Sequence, residues 1–87
     1  MFTIFEVGDK VKITDDGIEL IKEEPSFYGV RPEHVERLIG TEGRIVNMMI
    51  EESEDYFYDV RFGLALVLVE RIGLGHLEST EEDKKES

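Results

Sequence analysis

Between Gly40 and Glu70 the chain places three apolar stretches, "GTEGRIVNMMI" (Gly40 to Ile50), "YFYDVRF" (Tyr56 to Phe62) and "LALVLVE" (Leu64 to Glu70). Only "EESED" and the single Gly63 separate them. Each stretch is short, rich in β-branched or aromatic residues and bounded by turn formers, which is the pattern of strands. Connections this short join antiparallel neighbours, so this half of the chain predicts a meander. Upstream, "VGDKVKI" (Val7 to Ile13) sets Val7, Val11 and Ile13 in strand alternation after a Gly-Asp turn. Downstream, "RIGLGHLE" predicts a bend and a short closing strand.

The segment between the first two strands, Thr14 to Ile39, has a different character. "TDDG" predicts a turn. In "IELIKEE" (Ile18 to Glu24), Ile18 with Ile21 fits a helix and Ile18 with Leu20 fits a strand, and Pro25 ends either. "PEHVERLIG" predicts a short helix, with proline at its first position, Val35, Leu38 and Ile39 as an apolar stripe, and Gly40 as its stop. Beyond the closing strand, "STEEDKKES" is charged and free of apolar residues, the composition of an unstructured tail. The chain of 87 residues thus divides into one domain over 1–77 and a tail over 78–87, with no internal repeat.

Alternation assigns faces. Tyr56, Tyr58, Val60 and Phe62 point one way, and Phe57 shares the other with Asp59 and Arg61. In "LALVLV" both faces are apolar, with Leu64, Leu66 and Leu68 opposite Ala65, Val67 and Val69, so this strand is expected to be covered on both sides. Val46, Met48 and Ile50 likewise alternate with Ile45 and Met49. A two-turn helix covers little area, so a homodimer through Phe57, Ala65, Val67, Val69 and Met49 is the expected solution.

Charge restricts function more than motif does. Twenty-one acidic and ten basic residues leave a net charge of −11. Glu78 to Ser87 holds five acids and two lysines (−3), so residues 1–77 carry −8. Such a body repels nucleic acid and anionic membrane and attracts basic proteins. The acidic side chains placed on helix and turn candidates are Asp15, Asp16, Glu19, Glu23, Glu24, Glu51, Glu52, Glu54 and Asp55, with Asp59 on a strand. These are the expected partner-binding residues.

Catalysis has few candidates. The chain has no cysteine and two histidines, His34 and His76, and its four serines lie in loops without a neighbouring base. A catalytic carboxyl needs a desolvated pocket, and the acidic clusters fall in turns. The spacing of a calcium loop is absent from both "DDG" and "EESED". No enzyme activity, cofactor or metal is expected. No apolar run approaches the ~18–20 residues of a membrane span, and Met1 to Lys12 lacks the basic start of a signal peptide, so the cytoplasm is the expected location.

"GDKVKI", a polar turn, "GTEGRIV" and "YDVRF" with a following apolar strand resemble small SH3-like barrels of the KOW type. Gly8, Asp9, Val11, Ile13, Gly43 and Ile45 carry the resemblance, over Val7 to Ile13 and Gly40 to Val69. It implies a mainly β fold, an SH3-like antiparallel barrel or strongly bent meander, with the helix in a long insertion between strands one and two. Two departures stand out: the 26 residues of Thr14 to Ile39 replace a short loop, and the loops are acidic where RNA-binding relatives carry basic ones. Insertions of that length carry structure of their own or a function.

Three functions follow as expectations. The first is a nucleic-acid mimic, an inhibitor that occupies the basic surface of a nucleoid protein or RNA polymerase. In size and charge the chain is similar to small acidic phage-type inhibitors of DNA-binding proteins. The second is a KOW-like accessory module that binds the transcription or translation machinery through protein contacts. The third, a small enzyme on the same barrel, lacks a nucleophile and base.

Overall fold

The structure, a computed structural model, describes residues 4–52, 55–63 and 67–80. Five strands form one antiparallel sheet: β1 (Lys10–Ile13), β2 (Gly43–Ile50), β3 (Tyr56–Phe62), β4 (Val67–Gly73) and β5 (Leu77–Ser79). Their order is β4-β3-β2-β1-β5, so β2 to β4 are the expected meander and β5 the expected closing strand. Outermost β4 and β5 are consecutive in the chain, linked by the single 3-10 turn Leu74–His76. In a flat sheet four spacings of about 4.8 Å would part those edges by ~19 Å. Four residue steps from Gly73 to Leu77 reach at most ~14 Å. The sheet is therefore curled, and no β4–β5 pairing closes it.

β1 is shorter than the alternation predicts, because Val7 and Gly8 form a turn, with Gly8 at φ 100° and Val7 60% exposed. At the other end β5 runs to Ser79, and the Thr80 amide donates to Lys10 O at 3.2 Å. The boundary expected at residue 77 thus falls inside a paired strand, where Val11, Lys12 and Ile13 face Ser79, Glu78 and Leu77. Residues 81–87 of the expected tail lie outside the described residues.

Two bulges set which side chains face inward. On β2, Ile45 pairs with Val60 and Asn47 with Asp59, leaving Val46 as an extra residue. On β4, Val69 pairs with Val60 and Ile72 with Tyr58, so Glu70 and Arg71 together oppose Asp59. Arg71 takes a left-handed conformation within this insertion, at φ 61°. A bulge shifts the two-residue period by one. Ile45 and Met48, rather than Val46 and Met48, therefore lie on the core side, and Ile72 rather than Arg71 follows Val67 and Val69 inward. The expected grouping of Val46, Met48 and Ile50 is corrected accordingly: Val46 is 38% and Ile50 58% exposed.

A helical layer joins β1 to β2. The helix α1 (Asp15–Glu23) begins at Thr14, whose Oγ1 accepts from the Gly17 amide at 3.1 Å. Asp15 and Asp16 sit in its first turn and Lys22 in its last, both favourable to the helix dipole. "TDDG" is thus a helix start rather than a turn, and its glycine answers to packing. A Cβ on Gly17 would lie 2.6 Å from Ile13 Cγ2 and 2.9 Å from His76 Cβ. Two more 3-10 segments follow, Pro25–Tyr28 and Pro32–Leu38. The second replaces the predicted short α-helix. At three residues per turn Val35 and Leu38 share the buried side, and Ile39 falls off it, 53% exposed.

Ile18, Ile21, Tyr28, Val30, Val35 and Leu38 from this layer meet Val11, Ile13, Ile45, Tyr58, Val60, Phe62, Val67, Val69, Ile72 and Leu77 from the sheet in one core. Phe5 joins them. Its backbone N–H donates to Tyr58 Oη, and Tyr58 Oη–H donates to Phe5 O, both at 3.1 Å. The core accounts for one of the two apolar faces. Val67 and Val69, expected at a dimer interface, are 5% and 0% exposed within a single chain. Three helical segments, where one was foreseen, cover the face of the sheet that carries Val67 and Val69, while Val46 and Ile50 of β2 remain exposed. Leu64, Ala65 and Leu66 lie outside the described residues.

Candidate functional site

A cleft of about 720 Å³ opens where the β2–β3 hairpin, the Pro25–Tyr28 turn and the Leu74–His76 turn converge. Phe27, Tyr28, Tyr56 and Phe57 line it together with Leu20, Met49 and Leu74, and Glu51, Asp55 and Arg71 supply the charge. Phe57 pairs across the ladder with Met49 on one side and Gly73 on the other, which sets the sulfur-containing side chain beside an aromatic ring.

Local sequence explains each wall. Pro25 starts the 3-10 turn, and Gly29, in the left-handed conformation at φ 72°, ends it with its amide donating to Ser26 O at 3.1 Å. The turn throws Phe27 outward, 52% exposed, and Tyr28 inward, 8% exposed, with their rings edge-to-face at 4.9 Å. Arg71, aimed by its bulge, lies over the Phe27 ring at 5.7 Å and donates through Nη1 to Phe27 O at 3.2 Å. Its other neighbour is Glu70, at 3.6 Å. Arg71, the one lysine or arginine among the described lining residues, is thereby engaged with the protein itself. Glu51 and Asp55 lie at the exposed rim, and the Glu51 amide donates to Asp55 O at 3.0 Å.

His76 contributes a polar atom from below. Its carbonyl accepts from the Thr14 amide at 3.0 Å. Its Nδ1 is buried with no hydrogen-bond partner among the described residues. Tyr28 titrates above the ordinary range because burial disfavours the phenolate, and Glu24 adds repulsion. No group of three or more His, Cys, Asp or Glu side chains among the described residues is placed to hold a metal ion.

The expected acidic residues do not form one surface. Glu51 and Asp55 border the aromatic cleft, and Glu52 is exposed beside them. Asp15 and Asp16 flank a separate depression of about 470 Å³ with Lys12 and Glu78. Glu19 pairs with Lys22 at 3.6 Å, and Glu23 and Glu24 are exposed around the end of α1. Glu54, like Ala65, lies outside the described residues. Asp59 has an internal task. Its Oδ1 accepts from the Arg71 amide at 3.1 Å and its Oδ2 from Asn47 Nδ2 at 3.4 Å, so it braces the residues at both bulges. Of the expected interface residues, Phe57 and Met49 stay half-buried in the cleft wall, and Val67 and Val69 are core.

Phe27, Tyr28, Arg71, Leu74 and His76 were not among the expected site residues. The aromatic pair in "PSFY" directly after Pro25, inside the long insertion, was the available signal. No family model, curated protein or solved structure matches the chain.

Proposed function

We propose that this chain is a non-enzymatic protein-binding module that grips a basic, partly apolar segment of a partner in the aromatic cleft. The observation that carries this reading is the juxtaposition of four aromatic side chains and Met49 with rim carboxylates Glu51 and Asp55, while Arg71 is already neutralised by Glu70. Exposed aromatics in a concave site supply the apolar anchor of an interface, and carboxylates at its rim select lysine or arginine and speed encounter. The net charge of −11 points the same way.

A basic nucleic-acid-binding protein, of the nucleoid or RNA polymerase type, is the partner class that this charge suits, met in the cytoplasm. Occupying its basic surface would make binding of this chain and of nucleic acid mutually exclusive, an inhibitory outcome reached without imitating phosphate spacing. Carboxylates divided between two depressions favour a cleft-directed contact over a continuous phosphate-like array. The SH3-like reading of the fold belongs to the same proposal. The strand order β4-β3-β2-β1-β5 and the 3-10 turn linking the two edge strands support a small, incompletely closed barrel, and accessory modules of transcription or translation are the setting that the KOW resemblance implies.

Affinity purification with the wild-type chain and with a Phe27→Ser, Phe57→Ser double variant tests the proposal. Basic proteins should be retained by the wild type, lost with the variant, and released by added DNA and by salt. Equal recovery on the variant, or an acidic partner, would contradict it.

A further inference from the structure

The outer face of the sheet carries a feature at odds with the overall charge. Lys10 on β1 faces Arg44 on β2, and Arg44 faces Arg61 on β3, so three cations stand in one row across three strands. Arg44 lies near the start of β2 and Arg61 near the end of β3, so the row is at the far end of both strands from Met49 and Phe57 of the cleft. Like charges directly opposite one another in a sheet are unfavourable. The adjoining position on β1 shows the ordinary solution, with Lys12 facing Glu78 of β5. Among the described residues the row has no such partner. None of its three cations has a carboxylate within ion-pair distance, and Arg44 Nη1 reaches Gly8 O only at 3.5 Å. Together with Val46 they line a depression of about 440 Å³. Glu42, the one carboxylate among its described lining residues, already accepts from Thr80 Oγ1 at 2.8 Å.

Cations held in register at a depression, without counter-charge, match an anionic ligand, and geometry and field narrow its class. Two strand spacings of about 4.8 Å separate the first backbone of the row from the third. Side chains as long as lysine and arginine can close that span over a short ligand. A guanidinium grips phosphate through two parallel N–H···O bonds, and a lysine serves as a point charge. A short chain of linked phosphates therefore gives each of the three cations oxygens of its own. A long polyanion fits less well. Its charges beyond the row would lie over a body of net charge −11, within the ~8 Å over which that field acts at physiological ionic strength. A nucleic-acid strand or an acidic protein suffers this repulsion, and a ligand no longer than the row escapes it.

We propose that the depression bordered by Lys10, Arg44 and Arg61 binds a compact oligophosphate. Arg44 and Arg61 fork onto the phosphate oxygens, and Lys10 adds the third charge. Val46, 38% exposed, is the apolar side chain at the edge of the depression, where a nucleoside joined to the phosphates would rest. Bound there, the ligand bridges β1, β2 and β3 and cancels the repulsion within the row. It leaves the aromatic cleft free for its own partner.

Sodium tripolyphosphate, added to the full chain at low salt, should shift the backbone amide signals of Lys10, Arg44 and Arg61 saturably. It should also raise the melting temperature, and the cleft signals of Met49 and Phe57 should stay unmoved. Changing Arg44 and Arg61 to Gln should weaken binding roughly tenfold or more, because two charge-assisted pairs are lost. Arg31→Gln with Arg37→Gln removes the same charge from two other exposed positions and should leave binding unchanged. Binding should collapse in about 1 M salt, where the screening length is ~3 Å. Adenosine triphosphate separates two sources of the same chemistry. Tighter binding with a shift at Val46 assigns a nucleoside oligophosphate, and equal or weaker binding assigns the phosphate chain alone. Absence of a saturable shift, or equal weakening by the two double variants, overturns the proposal. Tighter binding of oligothymidylate or of a polyglutamate peptide overturns it too, and assigns the row to nucleic acid or to an acidic protein. Row and cleft are read by different signals and different variants, so the failure of one binding proposal is distinguishable from the failure of the other.

Discussion

Replacing Tyr58 by Phe removes one hydroxyl and tests how the N-terminal segment is held to the sheet. Tyr58 is fully buried, and its Oη bonds both the N–H and the C=O of Phe5 at 3.1 Å. Each net hydrogen bond is worth about 0.5–1.5 kcal/mol, and a buried backbone group left unpaired costs more than one exposed to water. The variant should lose roughly 1–3 kcal/mol. For a domain of this size that corresponds to a fall in melting temperature of ~4–8 °C per kcal/mol. The ring contact with Phe5, edge-to-face at 6.0 Å, survives the change, so the loss reports on the hydroxyl alone. Protection of the Phe5 amide in hydrogen exchange should fall with it.

The same hydroxyl makes a prediction in pH. Burial raises the pKa of Tyr58 above the usual phenol range, with smaller contributions from Tyr56 and Asp9, while the Phe5 backbone bond works against them. A raised folded-state pKa gives stability that is complete below the unfolded value near 10 and is lost as pH climbs through the folded one. Over that window one such tyrosine steepens the decline by up to ~1.4 kcal/mol per pH unit. Wild type should therefore lose stability above pH ~10 more steeply than Tyr58→Phe, with Tyr28 supplying the slope that remains. Chemical denaturation from pH 8 to 11.5, about the titration range, checks both effects. A variant within ~0.5 kcal/mol of wild type, with Phe5 protection unchanged, would refute the two-bond clamp.

Asp59→Ala should cost about 1–2 kcal/mol by leaving the Arg71 amide without its carboxylate and loosening both bulges, read as a lower denaturation midpoint and faster exchange at Arg71. Val69→Ala should destabilise by roughly 2 kcal/mol without altering the sedimenting mass, since Val69 is core; a change of mass at constant stability would restore it to an interface. Gly17→Val should lower the melting temperature and shift the signals of both Ile13 and His76, because the new side chain meets both; wild-type stability would contradict the close approach of α1 to the Leu74–His76 turn.

The strands were legible because their signal is local. Alternation located β2, β3 and the Val67 to Glu70 part of β4, which runs on to Gly73 where a bend was expected, and it placed Tyr58, Val60 and Phe62 on the buried side correctly. Beyond a bulge it lost the phase, because nothing in "RIVNMMI" or "VERIG" announces the extra residue. Arg71, a non-glycine residue at positive φ, hides its bulge in a way that a glycine would not. α1 was obscured because Gly17 reads as a turn former by composition, yet stands there for lack of a Cβ against Ile13 and His76. The cleft could be read only in part. Phe57 and Met49 belong to one hairpin and were found together. Phe27, Arg71 and His76 come from three separate segments, which only the curled sheet and its 3-10 turns bring to one place. Acidity was plain in the composition, but its division between two depressions, and the capture of Asp59 by a bulge, depend on tertiary position.

Recognition of basic, partly apolar segments by the cleft is tested most directly by selecting random displayed peptides on the immobilised wild-type chain, with counter-selection on the Phe27→Ser, Phe57→Ser variant. Peptides that combine lysine or arginine with an apolar or aromatic residue should be enriched, with the enrichment lost on the variant and weakened when Glu51 and Asp55 are neutralised. Enrichment of acidic peptides, or of sequences that bind both forms equally, would contradict it.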